Sequence, residues 1–241
     1  MKQWIFFLFC LSLISLQGQE DAAVPQISPE SEEFQKPPLN EYYREDQFYL
    51  GINFNLLLNF PEGVSQNALS YGLQGGAIRD IPLNKDCTFA LGIGLGYGFN
   101  SYYSNLRALE SGGDFEYVIL TDPDAYKRNK IETHLLEVPL EFRWRNSTRE
   151  TFKFWRIYGG AKFGYIVGSR SKYVTTEFVD SFNNTDTENF TYGLTLNVGY
   201  NTFNLHLYYG LNNLFEEGVN GPDGQQLEMA ALRFGLIFYI L

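Results

Sequence analysis

Only two cysteines and two histidines occur among the 241 residues, and one of the cysteines, Cys10, lies inside an apolar leader. The remaining one, Cys87, cannot form an internal disulfide, so no covalent framework is expected. His134 and His206 are the only imidazoles, and the sequence names no nucleophile beside either, so the chain does not read as an enzyme. Cations are also scarce. Lys and Arg total 18 against 28 Asp and Glu, a formal charge of −10 that disfavours nucleic acid as a partner. The acidic residues lack the fixed alternation of a calcium loop, so neither a metal nor a cofactor is expected. Helical periodicity is nearly absent, and the apolar run from Trp4 to Leu16 is too short to cross a membrane as a helix.

What the chain has instead is 21 Phe, 17 Tyr and 23 Gly in alternating patterns. Between Thr88 and Asn100, Phe89, Leu91, Ile93, Leu95, Tyr97 and Phe99 occupy one parity, and Gly92, Gly94, Gly96 and Gly98 the other. A β-strand sends successive side chains to opposite faces, so the segment has one apolar, aromatic-ended face and one nearly bare face. At about 3.3 Å per residue and a tilt near 40°, such a strand crosses an apolar band of roughly 25 Å.

Seven further segments alternate in the same way: Phe48 to Leu58, Leu69 to Ala77, Leu136 to Trp144, Trp155 to Val167, Phe190 to Tyr200, Phe203 to Leu211 and Leu232 to Ile240. Eight is an even number, as a closed antiparallel barrel requires. The fold class is therefore all-β: an eight-stranded antiparallel up-and-down transmembrane β-barrel. Alternation alone does not say which face is inside. The second face is mostly Gly, Asn and Tyr, and exposed glycine makes a poor strand, whereas glycine in a narrow lumen leaves space for long side chains from neighbouring strands. The apolar face, with Phe89, Leu91, Ile93, Leu95, Tyr97 and Phe99, is thus assigned to lipid. Glu137, Glu141, Arg143, Arg156, Lys162, His206 and Arg233 share the other parity and are assigned to a charge network in the lumen, because a cation facing lipid at mid-depth costs roughly 2–4 kcal/mol.

Three divisions follow. Residues 1–18 read as a secretory signal. Residues 19–47 form a Pro-containing acidic tail; Glu20 to Gln47 carries −6 of the formal charge and too little apolar surface to order itself. Residues 48–241 form the barrel. With the tail in the periplasm, the outer connections are Phe60 to Ala68, Ser101 to Lys130, Gly168 to Glu188 and Asn212 to Glu228. The shorter inner turns are Arg79 to Asp86, Arg145 to Thr151 and Asn201 to Thr202, and Cys87 lies beside the first of these.

The succession LLEVPLEFRW (Leu135 to Trp144), FWRIYGGAKFGYIVG (Phe154 to Gly168), LHLYYGLNNLF (Leu205 to Phe215) and LRFGLIFYIL (Leu232 to Leu241) resembles the PorT-like outer-membrane β-barrel proteins of Bacteroidota, within the porin family. The resemblance covers Phe48 to Leu241; it departs from the usual barrel terminus in ending on Leu241 rather than an aromatic residue. It implies a bacterial outer-membrane location and a link to type IX protein secretion. Two functions are then expected to compete. One is a non-enzymatic accessory subunit of an outer-membrane assembly, with outer-membrane lipid and outer-membrane or periplasmic proteins as partners. The other is a small pore or surface-ligand-binding barrel.

Overall fold

The computed structural model describes residues 46–66, 68–146, 154–201 and 203–240. The leader, tail residues 19–45 and part of the turn at Arg145 to Thr151 lie outside the described residues.

Every long element is a strand. β1 (Gln47–Leu58), β2 (Tyr71–Pro82) and β3 (Phe89–Tyr103) follow one another as a meander, and a hairpin of β4 (Leu106–Ser111) and β5 (Asp114–Ile119) comes next. After a short 3-10 turn at Pro123–Ala125 come β6 (Arg128–Arg145), β7 (Trp155–Val174), β8 (Val179–Asn183), β9 (Phe190–Tyr200), β10 (Phe203–Asn213) and β11 (Ala230–Ile240). Neighbours pair antiparallel in the order β1, β2, β3, β6, β7, β9, β10, β11, and β11 returns to β1 through Phe48↔Ile240 to Leu58↔Ala230. The sheet is closed with eight strands, as the alternation implies, and closure leaves no open edge in the bilayer.

The burial pattern is that of a membrane barrel. Leu50, Ile52, Leu95, Leu136, Tyr165, Leu194 and Leu205 are exposed, while Asn53, Asn55, Glu137, Arg143 and Asn197 are buried. Rings gather at both ends of the apolar band. Trp155 lies against Tyr200 with centroids 5.3 Å apart at one end, and Phe163 and Tyr165 adjoin Phe190 at the other. Such rings sit well at lipid–water borders.

Strands extend well past the expected segments. β7 has 20 residues, and at roughly 40° tilt a strand of that length rises about 50 Å, twice the apolar band. The excess forms an outer wall. Segments expected as loops are accordingly structured: Ser101 to Lys130 contains the β4–β5 hairpin and the ends of β3 and β6, and Gly168 to Glu188 contains the top of β7 and all of β8. At the inner end, the turn expected at Arg79 to Asp86 is shorter, because β2 continues to Pro82 and pairs with β3 through Pro82↔Ala90. Charged Arg79 and Asp80 resemble turn residues, yet they alternate in parity with Ala77 and Ile81 outside and Ile78 inside.

The larger apolar cluster lies toward the outer end of the barrel, and a smaller one of Tyr49, Ile78 and Ile237, packed with Tyr239, lies in the lumen toward the inner end. Leu57, Tyr102, Leu106, Tyr117, Ile131, Tyr208, Leu214, Phe215, Leu227 and Met229 cluster at the outer mouth, contributed by strand tops and by the connections between them. Below the mouth the rest of the interior is mostly polar. Glycines make room there: a Cβ on Gly92 would meet Arg143 Nε at 2.8 Å, and one on Gly96 would overlap the Tyr49 hydroxyl, which lies over the Gly76–Gly96 pair. Gly96→Val is therefore expected to lower stability by about 1–3 kcal/mol, read as a lower urea midpoint for the protein refolded in lipid vesicles.

Candidate functional site

The lumen is the candidate site, and two ion clusters fill it. In the first, the Arg143 guanidinium on β6 is fully buried and donates from Nε to Glu141 Oε2 at 2.9 Å, from Nη1 to Gln47 Oε1 at 3.3 Å, and to the Asp80 carboxylate. Arg145 donates to the other Asp80 oxygen at 2.6 Å and to the Cys87 carbonyl at 2.9 Å. The Tyr158 ring, 4.4 Å from the Arg143 guanidinium carbon, covers its face.

In the second cluster, Glu137 accepts from Lys162 Nζ at 3.2 Å and from Arg233 Nη1 at 3.3 Å; Lys162 also donates to Gln74 Oε1. Tyr208 lies 4.4 Å under the Arg233 guanidinium. A short chain extends from the first cluster to His206. Asn197 Nδ2 donates to Glu141 Oε1 at 3.0 Å, and its Oδ1 stands 2.6 Å from His206 Nδ1; since that oxygen can only accept, the network assigns the proton to Nδ1. Each of the carboxylates Asp80, Glu137 and Glu141 thus serves two donors, which is the condition for burying such charges at tolerable cost.

The structure buries all seven residues assigned to the lumen from sequence, but it does not join them all. Arg156 lies at the inner end, where its Nη1 donates to the Asn201 carbonyl at 2.9 Å and its guanidinium stacks 4.3 Å from the Phe154 ring, apart from both clusters. Two central members were not singled out from sequence: Asp80, hidden by its likeness to a turn residue, and Arg145, at the boundary of an expected turn. Parity was the available signal, since Asp80 follows Gln74, Gly76 and Ile78 on the inward face of β2. On the opposite face Phe89, Leu91, Ile93, Leu95 and Tyr97 are exposed, and Phe99 is half-buried beside His134 with centroids 5.1 Å apart.

The lumen leaves little space. Below the mouth, a cavity lined by Tyr102, Thr133, Leu135, Tyr208 and Arg233 among others holds about 10 Å³, no more than one water. His134 Nδ1 lies 2.5 Å from the Tyr97 hydroxyl on the outward face, while Glu132 pairs with Lys130 instead. Cys87 is buried at the inner turn, with φ of 55°. Among the described residues, no group of three or more His, Cys, Asp and Glu side chains is placed to hold a metal ion.

An apolar outer face, ring-lined borders and a polar, packed interior define an integral membrane β-barrel. The profile of the outer membrane protein beta-barrel domain family matches residues 29–216, and the chain belongs to that family. It is an outer-membrane protein. No curated protein matches it. Among solved structures it is similar to Ail, the attachment invasion locus protein of Yersinia pestis, with 12% identity, 81% of this chain and 97% of that one covered, and a TM-score of 0.37. A structure of Ail in complex with the heparin analogue sucrose octasulfate is similar at 11% identity, with 83% and 100% covered and a TM-score of 0.36.

Proposed function

We propose that this protein is a closed, non-enzymatic outer-membrane barrel serving as a structural or accessory subunit of an outer-membrane assembly. The observation that carries the reading is the double stopper: two ion clusters fill the lumen, and an apolar core caps it at the outer mouth. A barrel closed in this way has rigid walls and a large ordered outer surface but no conduit, which suits a scaffold better than a pore. The PorT-like succession of motifs supports protein secretion of the type IX kind as the assembly's task. In this reading residues 1–18 are removed, and the acidic tail before β1, residues 19–45, engages a partner in the periplasm.

Extraction of the full chain in mild detergent is expected to bring down a stoichiometric partner, identified by mass spectrometry, and deletion of residues 20–45 is expected to release it. Recovery of the barrel alone from both forms would overturn the reading. Purified protein in planar bilayers is expected to show no steady conductance. A stable conductance abolished by Glu141→Ala would instead establish a pore.

A further inference from the structure

The outer wall contains a cleft that the lumen does not explain. β7 pairs with β9 only as far as Tyr165↔Phe190, and higher up it pairs with β8, beginning at Arg170↔Asn183. Between these two ladders the chain from Asn184 to Asn189 bows away from Val167 and Gly168, tethered by the Ile166 N–H to the Asn189 carbonyl at 2.8 Å and the Asn184 N–H to the Ser169 carbonyl at 3.1 Å. The gap is about 550 Å³, within the range of small-molecule sites.

Its lining is rigid and chemically one-sided. Asn184 is buried, and its Nδ2 donates to the Tyr117 hydroxyl and to Ser171 Oγ, both at 3.0 Å. Burial raises the Tyr117 phenol far above its ordinary value, so it stays protonated as a donor. Glu216 is held by its N–H to the Asp186 carbonyl at 2.8 Å, and its Oε1 accepts from Asn189 Nδ2 at 3.0 Å. Thr185, on the bowed segment, is exposed at the wall. Asn183 leaves its amide exposed at the rim. Amides, hydroxyls and one carboxylate line the space, and no cation does.

We infer that this cleft binds an uncharged hexose unit of a saccharide. Adjacent sugar hydroxyls both donate and accept, which matches a carboxylate, amides and a threonine hydroxyl at the cleft wall. Phosphate and sulfate are excluded, because Glu216 faces the cleft and Asp186 and Glu188 belong to the same bowed segment. The position agrees with this chemistry. Tyr165 and Phe190, exposed rings at the lipid border, lie directly beneath, so the cleft opens where the sugars of an outer-leaflet glycolipid or of a surface polysaccharide pass. The inference is independent of whether the barrel serves an assembly.

The test uses the full chain in phospholipid nanodiscs, probed with an array of neutral oligosaccharides and, as the charged comparison, a sulfated heparin oligosaccharide. Binding of a neutral glycan is expected, with affinity reduced roughly tenfold or more in Glu216→Gln, the loss that removal of a charge-assisted hydrogen bond produces, and roughly threefold or more in Asn183→Ala, which removes a neutral one. Thr185→Val, which removes an exposed hydroxyl of the lining, supplies a third variant if Glu216→Gln fails to fold. Nanodiscs containing lipopolysaccharide separate the two sources: occlusion of the free glycan identifies a glycolipid, and undiminished binding identifies a free polysaccharide. Failure of every neutral glycan to bind, stronger binding of the sulfated one, or unchanged affinity in the folded variants would overturn the inference.

Discussion

Asp80→Ala is expected to destabilise the barrel by about 3–5 kcal/mol, the penalty for removing one partner from a buried ion group. The carboxylate accepts from both Arg143 and Arg145, and all three side chains are almost wholly buried. Without it, Arg145 keeps only the Cys87 carbonyl among the bonds described above, and Arg143 keeps Glu141 and Gln47. Two buried guanidinium groups would then lose the carboxylate they share. The measurement is equilibrium urea unfolding of protein refolded in lipid vesicles. Replacing Asp80, Glu141, Arg143 and Arg145 together by apolar residues of similar volume should recover most of the loss, because the penalty lies in the uncompensated charge and not in the missing contact. A loss below about 1 kcal/mol for Asp80→Ala would mean that water reaches the inner cluster, and the closed-barrel reading would fail with it.

Leu194→Arg is expected to cost roughly 2–4 kcal/mol, the price of a cation on the lipid face near the bilayer midplane. Leu194 is 52% exposed on β9, between Phe190 at one border and Tyr200 at the other. The same arginine at Phe178, exposed on the outer connection between β7 and β8, should change stability by no more than about 0.5 kcal/mol. The contrast separates a membrane barrel from a water-soluble one. In water, exposed Leu194 would tolerate arginine as readily as Phe178 does, so equal effects at the two positions would contradict the orientation of the faces.

The barrel was legible because lipid and lumen impose opposite demands on alternate residues. Strands such as Phe89–Tyr103 record those demands directly, residue by residue, and the parity of Glu137, Arg143 and Lys162 follows from the same rule. Where both demands weaken, legibility fades. Above the membrane, β4 and β8 carry no clean alternation, and β5, where Phe115, Tyr117 and Ile119 alternate with Asp114 and Glu116, is only six residues long, so the segments holding them read as loops. Asp80 was lost for the opposite reason: it obeys the alternation but has the chemistry of a turn.

The sequence by itself determined the number of membrane strands, their facing and the polarity of the lumen, because each depends on a period of two residues along one strand. Only the tertiary structure decided which charges meet. Asp80 lies 63 positions from Arg143 and 65 from Arg145, and Glu137 lies 96 from Arg233, separations bridged by strand register and barrel closure, which no local pattern encodes. The cleft beside Glu216 belongs to the same class of fact, since it exists where one ladder ends and another begins.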